Sequence, residues 1–239
     1  MSFDKPITKE NLHEYLKELS KIFRKLNGTA IPAEIILIGG ASILINYGFR
    51  SITYDMDAII TASSAMKEAI IQVRDKYDLP YGWLNTDFRR TKSYTEKLYQ
   101  FSVYYKTYSN ILTIRTIAAE YLVAMKLMSG RQYKYDLSDV AGILWEHKMN
   151  ETPITREMID KAVSDLYDGW SEVPEISKAF LDNTFKDDDY EKTYFDVRES
   201  EKEAKQILVD FQEVHPDKMK GENINEIIES ARRKMKKDT

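Results

Sequence analysis

The chain has 239 residues, 43% of them hydrophobic, with 35 lysines and arginines against 39 aspartates and glutamates, a net charge of −4 and no cysteine. That balance disfavours a globally basic nucleic-acid binder, and the missing thiols exclude disulfides, thiolate metal sites and cysteine catalysis. The opening MSFDKPITKENLHEYL lacks a charged segment followed by an apolar run, and no stretch approaches a membrane span, so the expectation is a cytoplasmic globular protein with one large core or two small ones.

Thr8 predicts the N-cap of a helix to about Asn27, with Leu12, Tyr15, Leu16, Leu19, Ile22, Phe23 and Leu26 on one stripe and Asn27-Gly28 as its stop. An apolar strand, Glu34–Ile38, runs into the pair Gly39-Gly40. A short helix follows from Ala41 to Tyr47, stopped by Gly48. Arg50 and Thr53 lie in the next loop, and a second strand covers Asp55–Thr61. Ser63 or Ser64 caps a helix through Tyr77, and residues 78–87, with Pro80, Gly82 and Asn85, read as an irregular connection. Leu98–Tyr105 and Ile111–Ile117 read as an antiparallel hairpin turning at Tyr108-Ser109-Asn110. Beyond Ile117 the pattern is helical: Ala118–Gly130, Asp136–Lys148, a Thr155-capped helix to about Tyr167, and Glu175–Leu181. Residues 186–205 are dense in both charges, and Gln206–Phe211 and Ile224–Met235 return to helical spacing. The terminal ARRKMKK reads as a solvated helix end.

Asp55 and Asp57 carry the chemistry of this pattern. Residues two apart on a strand share a face, so both carboxylates point to one site while Met56 and Ala58 turn into the core. Paired carboxylates repel unless a cation separates them. Oxygen ligands of this kind suit Mg²⁺, which takes its other ligands from water and phosphate. The glycine turn opens a helix whose first N–H groups and positive dipole end suit phosphate. The expected metal ligands are therefore Asp55 and Asp57, and the expected nucleoside triphosphate contacts include Gly39, Gly40, Ser42, Arg50 and Thr53. The plainer reading is a strand–helix corner with a solvent-facing acidic strand.

From Ile35 to Ile60 the sequence IILIGGASILINYGFRSITYDMDAII resembles the first motif of the nucleotidyltransferase superfamily, the DNA polymerase-beta-like fold: a G-G or G-S turn, a helix, then D-x-D on the next strand. Its GGAS and R-x-x-T-x-D-x-D form is most similar to the AbiEii-like toxin group and its bacterial relatives. A second stretch, Leu112 to Leu144, reads LTIRTIAAEYLVAMKLMSGRQYKYDLSDVAGIL and is similar to the E-Y-L-x-A-x-K-L segment of the same relatives. The resemblance implies an α/β fold, a mixed sheet flanked by helices in residues 1–117 and helices completing the cleft in 118–150; it does not cover the C-terminal third, and the helical region expected in 151–239 rests on the residue pattern. It implies that Lys126 and an aspartate, Asp136 or Asp139, belong to the catalytic site beside Asp55 and Asp57, and that Arg131 serves phosphate or structure. From the residues alone, Lys126 either snorkels to water or is held near a charge, and Asp136 equally suits a helix cap.

The implied activity is Mg²⁺-dependent transfer of NMP from an NTP to a hydroxyl on an RNA 3′ end or a protein. The implied setting is a toxin–antitoxin pair with a cognate antitoxin as partner. A small-molecule acceptor, as in antibiotic-modifying relatives, and a catalytically silent binder of nucleotide or partner are the alternatives. The superfamily usually adds a third carboxylate on a later strand, and the hairpin carries none. Asp87 is the candidate, with Asp136 the other. Arg89, Arg90, Lys92 and Lys97, near Tyr94, Tyr99, Tyr104, Tyr105 and Tyr108, could hold a nucleic-acid strand or form an ordinary charged surface. The Asp187–Asp189 run reads as solvated, and His13, His147 and His215 show no ligand spacing.

Overall fold

Thr8 starts the first helix, α1 (Lys9–Asn27), through a reciprocal cap: its hydroxyl accepts from the Asn11 N–H while the Asn11 side chain accepts from the Thr8 N–H. This computed structural model describes residues 5–29 and 31–235. The first four residues of the segment read for a signal peptide, and Lys236 and Lys237 of ARRKMKK, lie outside the described residues.

Five strands follow: β1 (Ala33–Leu37), β2 (Met56–Thr61), β3 (Leu84–Asn85), β4 (Ser102–Tyr108) and β5 (Leu112–Ile117). They form one mixed sheet in the order β3-β2-β1-β5-β4. The central β1 pairs antiparallel with β2 and parallel with β5. Its alternation divides two cores. Ile35 and Leu37 pack with α1 and with α3 (Ala65–Tyr77), while Ile36 and Ile38 pack toward α4 (Ala119–Ser129) and α5 (Asp136–Met149). A strand covered on both faces has no solvent side, which is why IILI is apolar without interruption.

The helical layer continues with α6 (Arg156–Tyr167) against α4, α7 (Glu175–Asp187), α8 (Tyr190–Val214) along α5, and α9 (Ile224–Met235) on α8. Thr155 caps α6 by accepting from Met158 N–H, as its position predicts. The fold is thus the expected α/β arrangement, a mixed sheet with flanking helices and a helical C-terminal region.

Several details differ from the sequence reading. The hairpin strand begins at Ser102, because Glu96–Phe101 winds into a 3-10 turn led by Thr95. Ser109 and Asn110 both take left-handed φ, 51° and 54°, the geometry a tight two-residue hairpin turn demands. The connection before Asp87 contains the short β3, fixed by pairing with β2 rather than by local propensity. The aspartate run ends α7 and caps α8, with Asp189 accepting from Lys192 N–H. β3 and β4 occupy opposite sheet edges, so Arg89 and Arg90, which follow β3, do not share a surface with Tyr104 and Tyr105 on β4. No helix among the described residues is long and apolar enough to cross a membrane.

Candidate functional site

Met56 and Ala58 are fully buried among the α1 and α3 side chains, so Asp57 between them turns to the opposite face of β2, as alternation requires. Asp55 precedes the strand and is exposed. The start of α2 (Gly39–Asn46) is tied to this point, because Ile38 N–H donates to the Asp57 carbonyl at 2.9 Å. Gly39 takes φ 56°, a conformation that favours glycine, and a Cβ there would stand 3.7 Å from Asp57 Oδ2. No side chain caps α2. Its first-turn N–H groups therefore open beside the Asp57 carboxylate.

Burial and the neighbouring Asp55 lift the Asp57 carboxyl above its ordinary value, and this outweighs the opposing pull of Arg131, Lys126 and the nearby Asn85 side chain. A cation would relieve that penalty. The two carboxylates suit one Mg²⁺ that completes its shell with water and phosphate, since such an ion is usually held by one or two carboxylates. Among the described residues no group of three His, Cys, Asp or Glu side chains could hold a metal. The position across from Asp57 on β3 is Asn85, whose amide donates to Gly82 O and accepts from Asp87 N–H. Asp87 is exposed and shares with Asp55 the wall of a cleft of about 850 Å³ between α3 and β3. Neither Asp87 nor Asp136 joins Asp55 and Asp57 in a three-carboxylate group.

Lys126 does not snorkel. It is buried, with Nζ 2.9 Å from Asp136 Oδ1 and 2.8 Å from Asp139 Oδ2. Arg131 Nε donates to Asp136 Oδ2 at 2.8 Å, and Arg50 Nη1 to Asp139 Oδ2 at 2.7 Å. Both aspartates are wholly buried, and neither acts as the N-cap of α5. Burial alone would push the Asp136 carboxyl up, but Lys126 and Arg131 together hold it at about 2. In the same way the two aspartates outweigh burial and raise Lys126. Within this cluster Arg131 reaches solvent most, with 42% of its side chain exposed, and it lies close enough to Asp57 for each to shift the other.

Three expected phosphate contacts are placed differently. Ser42 is fully buried with its hydroxyl unpaired. Thr53 is buried, pairs its backbone with Ile7, and donates its hydroxyl to Asp55 O. Arg50 is committed to Asp139 and to Ile52 O. The need for glycine at position 40 comes from these two residues: an added Cβ would fall 2.6 Å from Thr53 Oγ1 and 2.8 Å from an Arg50 guanidinium nitrogen. Gly40→Ala is therefore expected to cost about 1–3 kcal/mol of stability through overpacking. Urea unfolding measures this, and an unchanged midpoint would show that Arg50 and Thr53 give way freely.

One buried group escaped the sequence reading. Glu201 on α8 is 2% exposed, and its Oε1 accepts from Leu137 N–H at 3.0 Å. Its only sequence signal is its place between Tyr194 and Ala204, Leu208 on the buried stripe of a charged helix. Burial raises its carboxyl from 4.5 to about 7, and the Leu137 N–H offsets only part of this. The folded state thus keeps a proton that the unfolded chain releases near pH 4.5. The stabilisation is complete below that pH and is lost as pH rises through about 7, a fall of about 3 kcal/mol by linkage. Glu201→Gln should flatten this limb in unfolding free energies taken from pH 4.5 to 8, and a parallel pH dependence in both proteins would contradict it.

A family model described as "Nucleotidyltransferase of unknown function (DUF6036)" matches residues 14–169, well over half of the chain. No curated protein and no solved structure matches it.

Proposed function

This chain belongs to the DUF6036 family of nucleotidyltransferases of unknown function, and from that premise we propose that it is a Mg²⁺-dependent enzyme moving NMP from an NTP to a hydroxyl acceptor. The observation that carries the reading is the half-buried Asp57, its carboxyl raised beside Asp55 and set against the uncapped start of α2. Asp55 and Asp57 would hold the metal. Bound there, Mg²⁺ supplies charge that stabilises the triphosphate as pyrophosphate leaves. The N–H groups of Gly39 and its neighbours, with the partly exposed Arg131, take the phosphate oxygens. Lys126 acts one step back, through Asp136, by fixing Arg131. The acceptor hydroxyl approaches along the cleft that Asp55 shares with Asp87, and Asp87 is available there to take its proton.

The acceptor we propose is an RNA 3′ end or a protein side chain, in a toxin–antitoxin setting with a cognate antitoxin. This part rests on the resemblance of the two motifs to the AbiEii-like group. A second reading, a catalytically silent relative that binds nucleotide or a partner, is favoured by one observation: no third acidic or histidine group stands with Asp55 and Asp57 among the described residues. Pyrophosphate release from each NTP with Mg²⁺, over RNA, protein and small-molecule acceptors, separates the two. Turnover that disappears in Asp57→Asn supports the enzyme, and nucleotide binding without pyrophosphate supports the silent relative.

A further inference from the structure

α8 begins at Tyr190, beyond the matched residues 14–169, yet it reaches the ion cluster beside the site. α5 has no side-chain cap of its own, and its N-cap residue, Tyr135, is left-handed at φ 61°. α8 supplies what is missing. Glu201 takes up the Leu137 N–H, one of the donors a helix leaves open in its first turn. Arg198 stacks over the Tyr135 ring at 3.8 Å from its centroid and stands 3.9 Å from Asp139 Oδ1. Neither Arg198 Nη1 nor Asp139 Oδ1 has a hydrogen-bond partner. One turn earlier, the Tyr194 hydroxyl donates to Phe49 O at 3.0 Å. Phe49 precedes Arg50, which shares Asp139 with Lys126. The helix therefore grips both the start of α5 and the loop that brings Arg50.

We infer that α8 is a working part of the site, with Glu201 and Arg198 as positioning residues that set the first turn of α5 and, through Asp136, the guanidinium of Arg131 facing Asp57. The chain of contact is continuous. Leu137 follows Asp136, Asp136 holds Arg131 through three of its donors, and Arg131 is the cation nearest to solvent beside Asp57. The inference rests on the nucleotide reading above. A helix outside the family's matched stretch would then govern how tightly the triphosphate is held.

The test is calorimetric titration of ATP with Mg²⁺ into the full chain and into Glu201→Leu, Glu201→Gln and Arg198→Met, each checked for a native near-ultraviolet spectrum. Loss of a residue that orients a ligand-holding group typically weakens binding by about tenfold or more. Glu201→Leu and Arg198→Met should show that loss. Glu201→Gln, whose amide oxygen still accepts from Leu137 N–H, should return close to wild type. A role in stability alone would lower melting temperatures and leave the affinity of the folded protein unchanged. Wild-type affinity in both Glu201→Leu and Arg198→Met, with binding lost in Asp57→Asn, would overturn this inference alone. If Glu201→Leu does not fold, Arg198→Met decides, because its side chain is partly exposed. Failure of the wild type to bind Mg²⁺ with ATP would overturn the nucleotide reading and this inference with it.

Discussion

Lys126→Met is expected to lower folding stability by about 3–5 kcal/mol, the usual result of removing one partner from a buried ion pair. Its ammonium lies between Asp136 and Asp139, both wholly inaccessible to solvent. Methionine keeps the length and apolar character of the stem, so packing is nearly conserved and the change isolates the charge. Arg131 and Arg50 remain on the two carboxylates, which places the effect toward the lower end of that range. The acid limb should move as well. Asp136 is depressed from 3.8 to about 2, so its stabilisation is present above pH 3.8 and lost as pH falls through about 2. Without Lys126 the Asp136 carboxyl moves back toward its ordinary value, so this pH-dependent contribution should shrink and the acid limb flatten. Urea unfolding at pH 7 and at about pH 3 measures both effects. A loss below about 1 kcal/mol would return Lys126 to the class of weakly paired surface lysines.

Asp57→Asn should separate function from stability. The folded chain opposes ionisation of this carboxyl, through burial and Asp55, so a neutral amide of the same shape relieves a penalty. Stability without ligand should hold or rise. Nucleotidyl transfer should fall by at least about 100-fold, the scale of losing one electrostatic group in a closed site. A destabilised site kept for chemistry shows this opposition, whereas a structural aspartate loses stability when changed. Transfer of label from an α-labelled NTP, beside thermal unfolding, reads both quantities. Unimpaired transfer in a folded Asp57→Asn would remove Asp57 from the mechanism.

The glycine turn, the short helix and the strand carrying Asp57 were legible because their signals are local. Left-handed φ at Gly39, alternation at Met56 and Ala58, and the Thr8 and Thr155 caps each depend on neighbours within a few residues. What stayed hidden depends on partners distant in sequence. Arg50 looked like a phosphate contact beside Asp55, but its partner Asp139 is 89 residues away. Gly40 looked like room for a triphosphate, and the folded chain fills that room with Arg50 and Thr53. The choices for Lys126 were water or a nearby charge, and only the fold shows two buried aspartates. Glu201 lay in a stretch dense in both charges, and sequence alone does not show α5 leaving a first-turn donor for it.

The central claim is that Asp57, beside the start of α2, and its neighbour Asp55 bind a nucleoside triphosphate through Mg²⁺. Titration of ATP into the wild-type chain with Mg²⁺, with EDTA, and into Asp57→Asn with Mg²⁺ tests it most directly. Binding that requires Mg²⁺ and is lost in a fully folded Asp57→Asn is the predicted result. Equal affinity in all three titrations, or no binding by the wild type, would contradict the account.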